Sequence, residues 1–233
     1  MAIKFFPNRV QIVKELERSS AFSRMAKTAG IVMVAPVRSF LARGRLKRLK
    51  EKRGLGQSAM IISSTGFRTL AGAAGDLHQV LVNCREARIM LLDPLKAGVI
   101  DRAKSLADPG ITPEVFREQI IRSIDFLKRL KALQKNIRLK LYPDVPLMKL
   151  AILGDYLFLQ HYPTGLNVRR MPEFVFKHDS DCSLFSLFYH YFISRWFDPD
   201  IPEYDLVTDD LVYRDRSGSE VKREKFNEVV MTH

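Results

Sequence analysis

The sequence predicts an α/β protein with a mixed central β-sheet, helices on both faces of that sheet and a basic helical segment at the N-terminus. Three observations lead to this fold class. The 233 residues are 46% hydrophobic, which is enough to bury one full core. From Gly54 onward, short apolar runs alternate with stretches of helical spacing. The net charge of +12 is uneven, because residues 1–53 carry 14 Lys or Arg against 3 Asp or Glu, whereas residues 54–233 carry 24 against 23.

These patterns divide the chain into three parts. Residues 1–55 form the basic helical N-terminal segment, residues 56–200 the α/β domain and residues 201–233 a C-terminal tail. The tail alternates short apolar pieces with charged residues, so we expect it either to contact a partner or to add an edge to the sheet.

The order of strands and helices follows from apolar runs and helix signals. The run at 58–64 ends in Ser-Ser-Thr-Gly and is a strand, and residues 67–86 have helical spacing. Residues 87–94 form a strand closed by Asp-Pro, and a weakly helical stretch follows it. Thr112-Pro113-Glu114 is a typical helix start. Further strands are predicted at 137–142, 147–153, 156–162 and 174–177, and a closing helix at 180–197.

Residues 19–44 are the hardest part of the chain to interpret. The stretch resembles the start of repressor DNA-binding domains. The residues at the expected positions of the first helix and turn are Ala26, Ala29, Gly30 and Ile31. Val32-Met33-Val34 and Pro36 fit the recognition helix poorly, because such a helix normally opens with a polar cap and excludes proline. A DNA-reading helix pair and an ordinary helical hairpin are both compatible with the pattern.

Residues 38–56 hold eight basic residues and one acidic residue, with leucines interleaved at helical spacing. Three interpretations stay open: a solvated face that docks its leucines on the domain, a phosphate-backbone contact with nucleic acid, or attachment to an anionic membrane surface. The residues expected to contact nucleic acid are Arg43, Arg45, Lys47, Arg48, Lys50, Lys52 and Arg53.

The stretch PLMKLAILGDYLFLQHYPTG, residues 146–165, contains a hairpin turn at Gly154-Asp155. With its surroundings, residues 58–197, it resembles one repeat of the phospholipase D-like superfamily. The active strand of that family reads His-x-Lys-x4-Asp and is followed by Gly-Ser-x-Asn. The resemblance implies that residues 56–200 are a phospholipase D-like domain, although it rests on element order and spacing and on no rare motif.

The catalytic motif of that family is degenerate in this chain. Lys149 occupies the lysine position, but Leu147 replaces the nucleophilic histidine and Gly154 replaces the aspartate. Since leucine cannot attack phosphorus, we expect a binding or regulatory protein without the family activity. The alternative is a phosphodiesterase or nuclease with a rebuilt active site, in which His161, His178 and Lys149 would do the chemistry.

A phosphate pocket is expected at the carboxyl edge of the sheet. Ser63, Ser64 and Thr65 form a small-residue turn between a strand and a helix, where backbone donors and the helix N-terminus can hold an anion. Lys149 is expected beside this turn. The remaining residues assigned to the ligand are Thr164, Arg169 and Arg170. No cofactor and no metal are expected, because the His, Cys and acidic residues show no ligand spacing.

The remaining expectations concern compartment and assembly. No apolar run reaches the ~18 residues of a membrane span, and the N-terminus turns charged too early for a signal peptide, so we expect a cytoplasmic protein. Cys84 and Cys182 are interpreted as reduced packing residues. The aromatic helix at 180–197 is expected to serve the core or, as the alternative, a homodimer face.

Overall fold

One mixed β-sheet organises the molecule. The computed structural model describes residues 26–36, 40–106, 108, 110–166, 168, 171–179 and 183–226. The strands within these residues are β1 (Ile31–Ala35), β2 (Ser58–Ile62), β3 (Glu86–Leu92), β4 (Asn136–Tyr142), β5 (Met148–Leu153), β6 (Tyr156–His161), β7 (Glu173–Lys177), β8 (Glu203–Tyr204), β9 (Asp210–Arg214) and β10 (Glu220–Lys225). Their order in the sheet is β1-β7-β6-β5-β2-β3-β4-β8-β9-β10. β2, β3 and β4 pair in parallel, and the other pairs are antiparallel.

Helices cover the sheet from two sides. The described α-helices are α1 (Phe40–Gly54), α2 (His78–Asn83), α3 (Ala97–Lys104), α4 (Pro113–Ala132) and α5 (Leu184–Trp196). On one face, Lys50 of α1 lies 5.2 Å from the ring centroid of Phe158 on β6. On the opposite face, Phe188 of α5 lies 5.9 Å from Phe176 on β7. The prediction of an α/β fold with a mixed sheet is therefore confirmed.

The predicted central strands agree with the observed ones to within two residues at each end. β2, β3, β4, β5 and β6 all fall on the predicted runs, and Lys149 lies on β5 as expected. β5 and β6 form the predicted hairpin, in which Gly154 takes a positive φ of 59°. The capping prediction for α4 also holds, because the Thr112 hydroxyl accepts from the backbone N–H of Val115 at 3.4 Å.

The single helix predicted over 67–86 is wrong. A π-helical turn spans Phe67–Ala71, a loop follows, and α2 begins only at His78. Gly75 explains the break: a Cβ at this position would lie 2.5 Å from the carbonyl oxygen of Thr69, a contact that only glycine permits. The chain folds back on itself here, and this loop presents Asp76.

Both helical interpretations of residues 19–44, the DNA-reading helix pair and the ordinary helical hairpin, are wrong where the structure describes this stretch. Ile31–Ala35 form β1, which pairs antiparallel with β7. Gly30 takes a φ of +74° and turns the chain into the strand, and a Cβ there would lie 2.7 Å from the Lys177 carbonyl oxygen. β-Branched residues dominate β1, which favours a strand over a recognition helix. Residues 19–25 and 37–39 lie outside the described residues.

The described part of the C-terminal tail extends the sheet. β8 pairs with β4, and β9 and β10 follow as an antiparallel hairpin at the edge. The aromatic helix serves the core, since Phe185, Phe192 and Trp196 of α5 are buried. Cys84 is buried and free, whereas Cys182 lies outside the described residues. No helix within the described ranges is long and apolar enough to cross a membrane.

Candidate functional site

A recess of about 350 Å³ lies between α1, the 63–66 turn and the strands β5 and β6. It opens where β2 ends, β5 begins and β6 ends, so three neighbouring strands contribute to one edge of the sheet. Open α/β sheets commonly bind ligands at such an edge. The recess brings together predicted residues from distant parts of the sequence: Arg43, Lys47, Ser63, Ser64, Thr65 and Lys149.

A buried ion-pair network forms the floor of this recess. Lys149 Nζ lies 3.1 Å from Asp76 Oδ2, and Lys50 Nζ contacts both Asp76 and Glu173, the latter at 2.5 Å. Lys50 is fully buried, and Lys149 and Glu173 are nearly so. Two lysines therefore face two carboxylates, and the four groups balance in charge. Such a network is expected to be costly to break, because removal of one partner leaves a buried charge uncompensated.

The pKa shifts of Asp76 and Lys149 favour the ionised form of each group. Burial alone would raise the pKa of Asp76, but the charges of Lys149 and Lys50 outweigh it and hold that pKa well below its ordinary value. Burial alone would lower the pKa of Lys149, but Asp76 and Glu173 outweigh it and raise that pKa above its ordinary value. Lys149 thus lines the recess with its charge already neutralised, which differs from the free anion ligand expected from the sequence.

The turn at 63–66 does not offer the expected cradle of backbone donors. The Ser64 N–H donates to the Tyr162 hydroxyl at 3.2 Å, and the Ser63 N–H donates to the Met90 carbonyl at 3.0 Å. The Thr65 hydroxyl donates to Gln119 Oε1 at 3.1 Å. The π-helical turn that follows is only five residues long, too short for the helix N-terminus on which the phosphate prediction relied. These residues line the recess as polar wall groups.

Charge in the recess comes mainly from residues that the sequence analysis did not assign to the ligand. Arg68 and Arg102 line it together with Arg43, Lys47 and Lys149, against the two carboxylates of Asp76 and Glu173. The lining therefore has a surplus of three positive charges. Arg102 is buried, and its Nη1 donates to the Pro163 carbonyl at 3.0 Å, while its guanidinium lies 4.9 Å from the Tyr162 ring centroid.

Helix α1 distributes its basic residues over different sides. Arg45, Arg48 and Lys52 are exposed and follow helical spacing, and we call them the outer stripe. Arg43 and Lys47 line the recess. Lys50 is buried, so the expectation that it contacts nucleic acid is wrong.

Arg53 also departs from the expectation of a free phosphate contact. Its guanidinium lies 4.1 Å from the ring centroid of Tyr156, and its Nη1 lies 3.7 Å from Asp155 Oδ1. It ties α1 to the β5–β6 hairpin. Two leucines of α1 face the domain, since Leu46 is buried and Leu49 is half-buried. Leu41, near the start of the helix, is exposed.

The histidines of the alternative enzyme hypothesis do not meet. His161 ends β6, whereas His178 lies beside the hairpin at the opposite end, where its N–H donates to the Asp155 carbonyl at 2.9 Å. β6 separates them by roughly 17 Å at about 3.3 Å per residue. Both are exposed, and neither lines the recess. The structure therefore does not bring the two histidines together with Lys149 in one site.

The other predicted ligand residues are not joined to the recess. Thr164 is exposed and does not line it. Arg169 and Arg170 lie outside the described residues. Leu147, which stands in the place of the family nucleophile, is exposed and lies outside the recess lining. Across the described ranges, no group of three or more His, Cys, Asp or Glu side chains could hold a metal ion.

Comparisons with known proteins give little beyond this geometry. No family model matches the chain, and no curated protein matches it. A solved structure described as TrmBL2, an archaeal chromatin protein with a novel mode of DNA binding, is similar to it at 15% identity and a TM-score of 0.39. That similarity covers 81% of this chain and spans 64% of the length of TrmBL2. It is too weak to assign a fold family or a function to this chain.

Proposed function

We propose that this chain is a catalytically degenerate, phospholipase D-like binding protein that holds a phosphate-containing ligand in the recess and contacts nucleic acid through α1. The observation that carries the first part is the charge of the lining, with five basic side chains against two carboxylates. Phosphate groups prefer sites where arginine and lysine outnumber acids, because charge-assisted hydrogen bonds to them are strong.

Several features support binding over catalysis. Lys149, which occupies the lysine position of the family motif, is held in a balanced network, and none of the described histidines lines the recess. Leu147 replaces the nucleophile and does not line the recess either. A phosphate group bound there meets cations and hydroxyls but no group that could attack phosphorus in the way the family requires.

Titration calorimetry of the full chain with pyrophosphate and with a nucleoside monophosphate tests the ligand site. We expect Arg43→Gln combined with Arg68→Gln to weaken binding at least tenfold, about 1.4 kcal/mol, because each change removes a lining charge. Arg48→Gln combined with Lys52→Gln removes the same charge from the outer stripe and should leave affinity nearly unchanged. Equal losses in both variants, or no binding of either compound at low salt, would contradict the proposal.

The nucleic-acid contact rests on the outer stripe. Arg45, Arg48 and Lys52 project from one exposed side of α1. Membrane attachment is less favoured, since Leu46 and Leu49 of the predicted apolar face pack inward. Phosphate contacts of this kind position a nucleic acid without reading its bases, so little sequence preference is expected.

The salt dependence of duplex DNA binding tests this contact. Each neutralised phosphate contributes about 0.9 to the slope of log affinity against log salt, so replacing all three stripe residues by Gln should reduce the slope by about 2.7. A triple Gln variant of Lys96, Lys104 and Arg122, which are exposed on other elements, is the matched control. If both triple variants flatten the slope equally, only the net charge of the protein matters and the stripe has no special role.

A further inference from the structure

The recess has two chemically different ends. Its outer end, which we call the rim, consists of Arg43, Lys47 and Arg68, all at least partly exposed. Its inner end, the floor, consists of Asp76, Lys149 and Glu173. The rim carries three positive charges and no acid. The floor, together with the buried Lys50, is electrically balanced. A ligand that satisfies both ends must be anionic outside and uncharged inside.

The floor is suited to a hydroxyl group. The Asp76 side chain is 25% exposed, so its carboxylate can accept a hydrogen bond from a ligand hydroxyl while it holds both lysines. The neighbouring Lys149 ammonium has three donors, and it donates to the two Asp76 carboxylate oxygens at 3.1 and 3.4 Å. A hydroxyl can donate to the first group and accept from the second. A phosphate at this depth would find no net positive charge, because both lysines are already paired with the two carboxylates.

The walls between floor and rim are mixed. Leu106, Ile111 and Phe116 are apolar, Gln160 and Tyr162 are polar, and the buried Arg102 is charged. A nucleoside has both kinds of surface. The volume of about 350 Å³ suits one nucleotide and leaves no room for a base-paired partner. The buried network lies at the inner end, so a strand whose last nucleotide reaches it is expected to enter by its terminus.

The rim adjoins the proposed nucleic-acid surface. Lys47 of the rim and Arg48 of the outer stripe are consecutive on α1 and diverge by about 100° around the helix axis. Gly44 lies between the two rows and leaves open space, since a Cβ there would meet no atom within 4 Å. A phosphate backbone can therefore cross α1 at Gly44 and continue from the stripe to the rim.

We propose that the recess holds the last nucleotide of an unpaired nucleic-acid strand, with its terminal hydroxyl at Asp76 and Lys149 and its phosphodiester at the rim. This inference rests on the proposed function and joins its two parts into one site. The protein is then a binder of hydroxyl-bearing strand ends, and the strand behind the end lies on α1.

Fluorescence anisotropy with single-stranded oligonucleotides of one sequence tests the inference on the full chain. Three forms are compared in DNA and in RNA: linear with hydroxyls at both ends, linear with phosphates at both ends, and circular. We expect the hydroxyl-ended form to bind at least tenfold more tightly than the circle, about 1.4 kcal/mol. The phosphate-ended form should bind no better than the circle. Equal binding of the hydroxyl-ended form and the circle, or tighter binding of the phosphate-ended form, would overturn the inference.

A pair of neighbouring substitutions separates the recess from the surface. Ala74 lines the recess and is exposed, so Ala74→Trp should fill the space and abolish the preference for ends while affinity for the circle is kept. Ala73→Trp, on the adjacent exposed residue outside the lining, should keep the preference. Loss of the preference in both variants would place the end site elsewhere and overturn the assignment.

The same measurements separate this inference from the function on which it rests. If the circle binds and linear ends add nothing, the strand-end inference fails while the α1 contact stands. If a nucleoside monophosphate binds the recess by calorimetry but no oligonucleotide prefers its end, the ligand site stands alone. If no nucleic acid binds at low salt, the inference and the α1 contact both fail.

Discussion

At the scale of single residues, Asp76 has the largest influence on the site. It contacts Lys50 from α1 and Lys149 from β5, and so it joins a helix, a loop and a strand. Its carboxylate is also the one floor group that is substantially exposed to the recess. Asp76 therefore contributes both to the stability of the fold and to the proposed ligand site.

The depressed pKa of Asp76 predicts how stability depends on pH. An unfolded Asp titrates near 3.9, whereas the folded group titrates well below its ordinary value, so the unfolded chain binds more protons as pH falls through this range. The free energy of unfolding should thus fall below about pH 5. In Asp76→Asn, which should be less stable at pH 7 by about 3 to 5 kcal/mol, this acid-dependent loss should be smaller.

Urea unfolding between pH 2.5 and 7 measures this difference. Asp125→Asn, which removes an exposed carboxylate from α4, is the control and should keep the acid sensitivity of the unmodified protein. If the free energy of unfolding of Asp76→Asn depends on pH in the same way as that of the unmodified chain, the pKa of Asp76 is not lowered in the folded state.

At the scale of elements, α1 shows how one helix can serve several surfaces. Its charges surround the axis, so the sequence did not show which of them would be buried and which would face solvent. In the folded chain these charges have different surroundings. Lys50 is buried and paired with two carboxylates, Arg53 stacks on Tyr156, and the outer stripe faces solvent.

Replacing either of two helical glycines with alanine should change the stability of the chain, in opposite directions at the two positions. Gly44 lies inside α1 with open space around it, so Gly44→Ala should stabilise the chain by about 0.5 to 1 kcal/mol, since alanine favours helix. Gly98 lies in the first turn of α3, where a Cβ would lie 2.3 Å from the Pro143 carbonyl oxygen. Gly98→Ala should cost about 1 to 3 kcal/mol, because backbone must move. Chemical denaturation measures the free energy of unfolding of both variants. If both substitutions stabilise the chain, or both destabilise it, the packing described at one of the two glycines is wrong.

At the scale of the whole molecule, the sequence predicted the elements better than their partners. Apolar runs located β2 to β6, because central strands are buried on both faces and leave an uninterrupted signal. Nothing local marked β1 as a strand of the same sheet, since its pairing with β7 is set by contacts far along the chain. The two glycines of the Gly-Ala-Ala-Gly stretch before Asp76 indicated a loop. Apolar residues at helical spacing on both sides favoured one continuous helix instead.

The candidate site was also predicted only in part, because local sequence patterns locate strands but do not show which distant residues pack against them. Lys149 and the 63–65 turn follow from strand positions, and the structure joins them in one recess. The other lining residues Asp76, Glu173, Arg68 and Arg102 come from a loop, the strand β7, the π-helical turn and α3, whose approach depends on tertiary packing. Lysines at 50 and 149 look like free cations in sequence, and only the fold reveals the carboxylates that neutralise them.

The pairing of β1 with β7 also has a consequence for how the chain is made. Ala35 pairs with Glu173, so β1 is synthesised about 140 residues before its partner strand. At about 5 to 20 residues per second, the nascent chain carries this unpaired strand for roughly 7 to 28 s. Val32, Met33 and Val34 are apolar and stay exposed even in the finished sheet. During translation, β1 is therefore a segment on which a chaperone or a neighbouring nascent chain can act before the sheet closes.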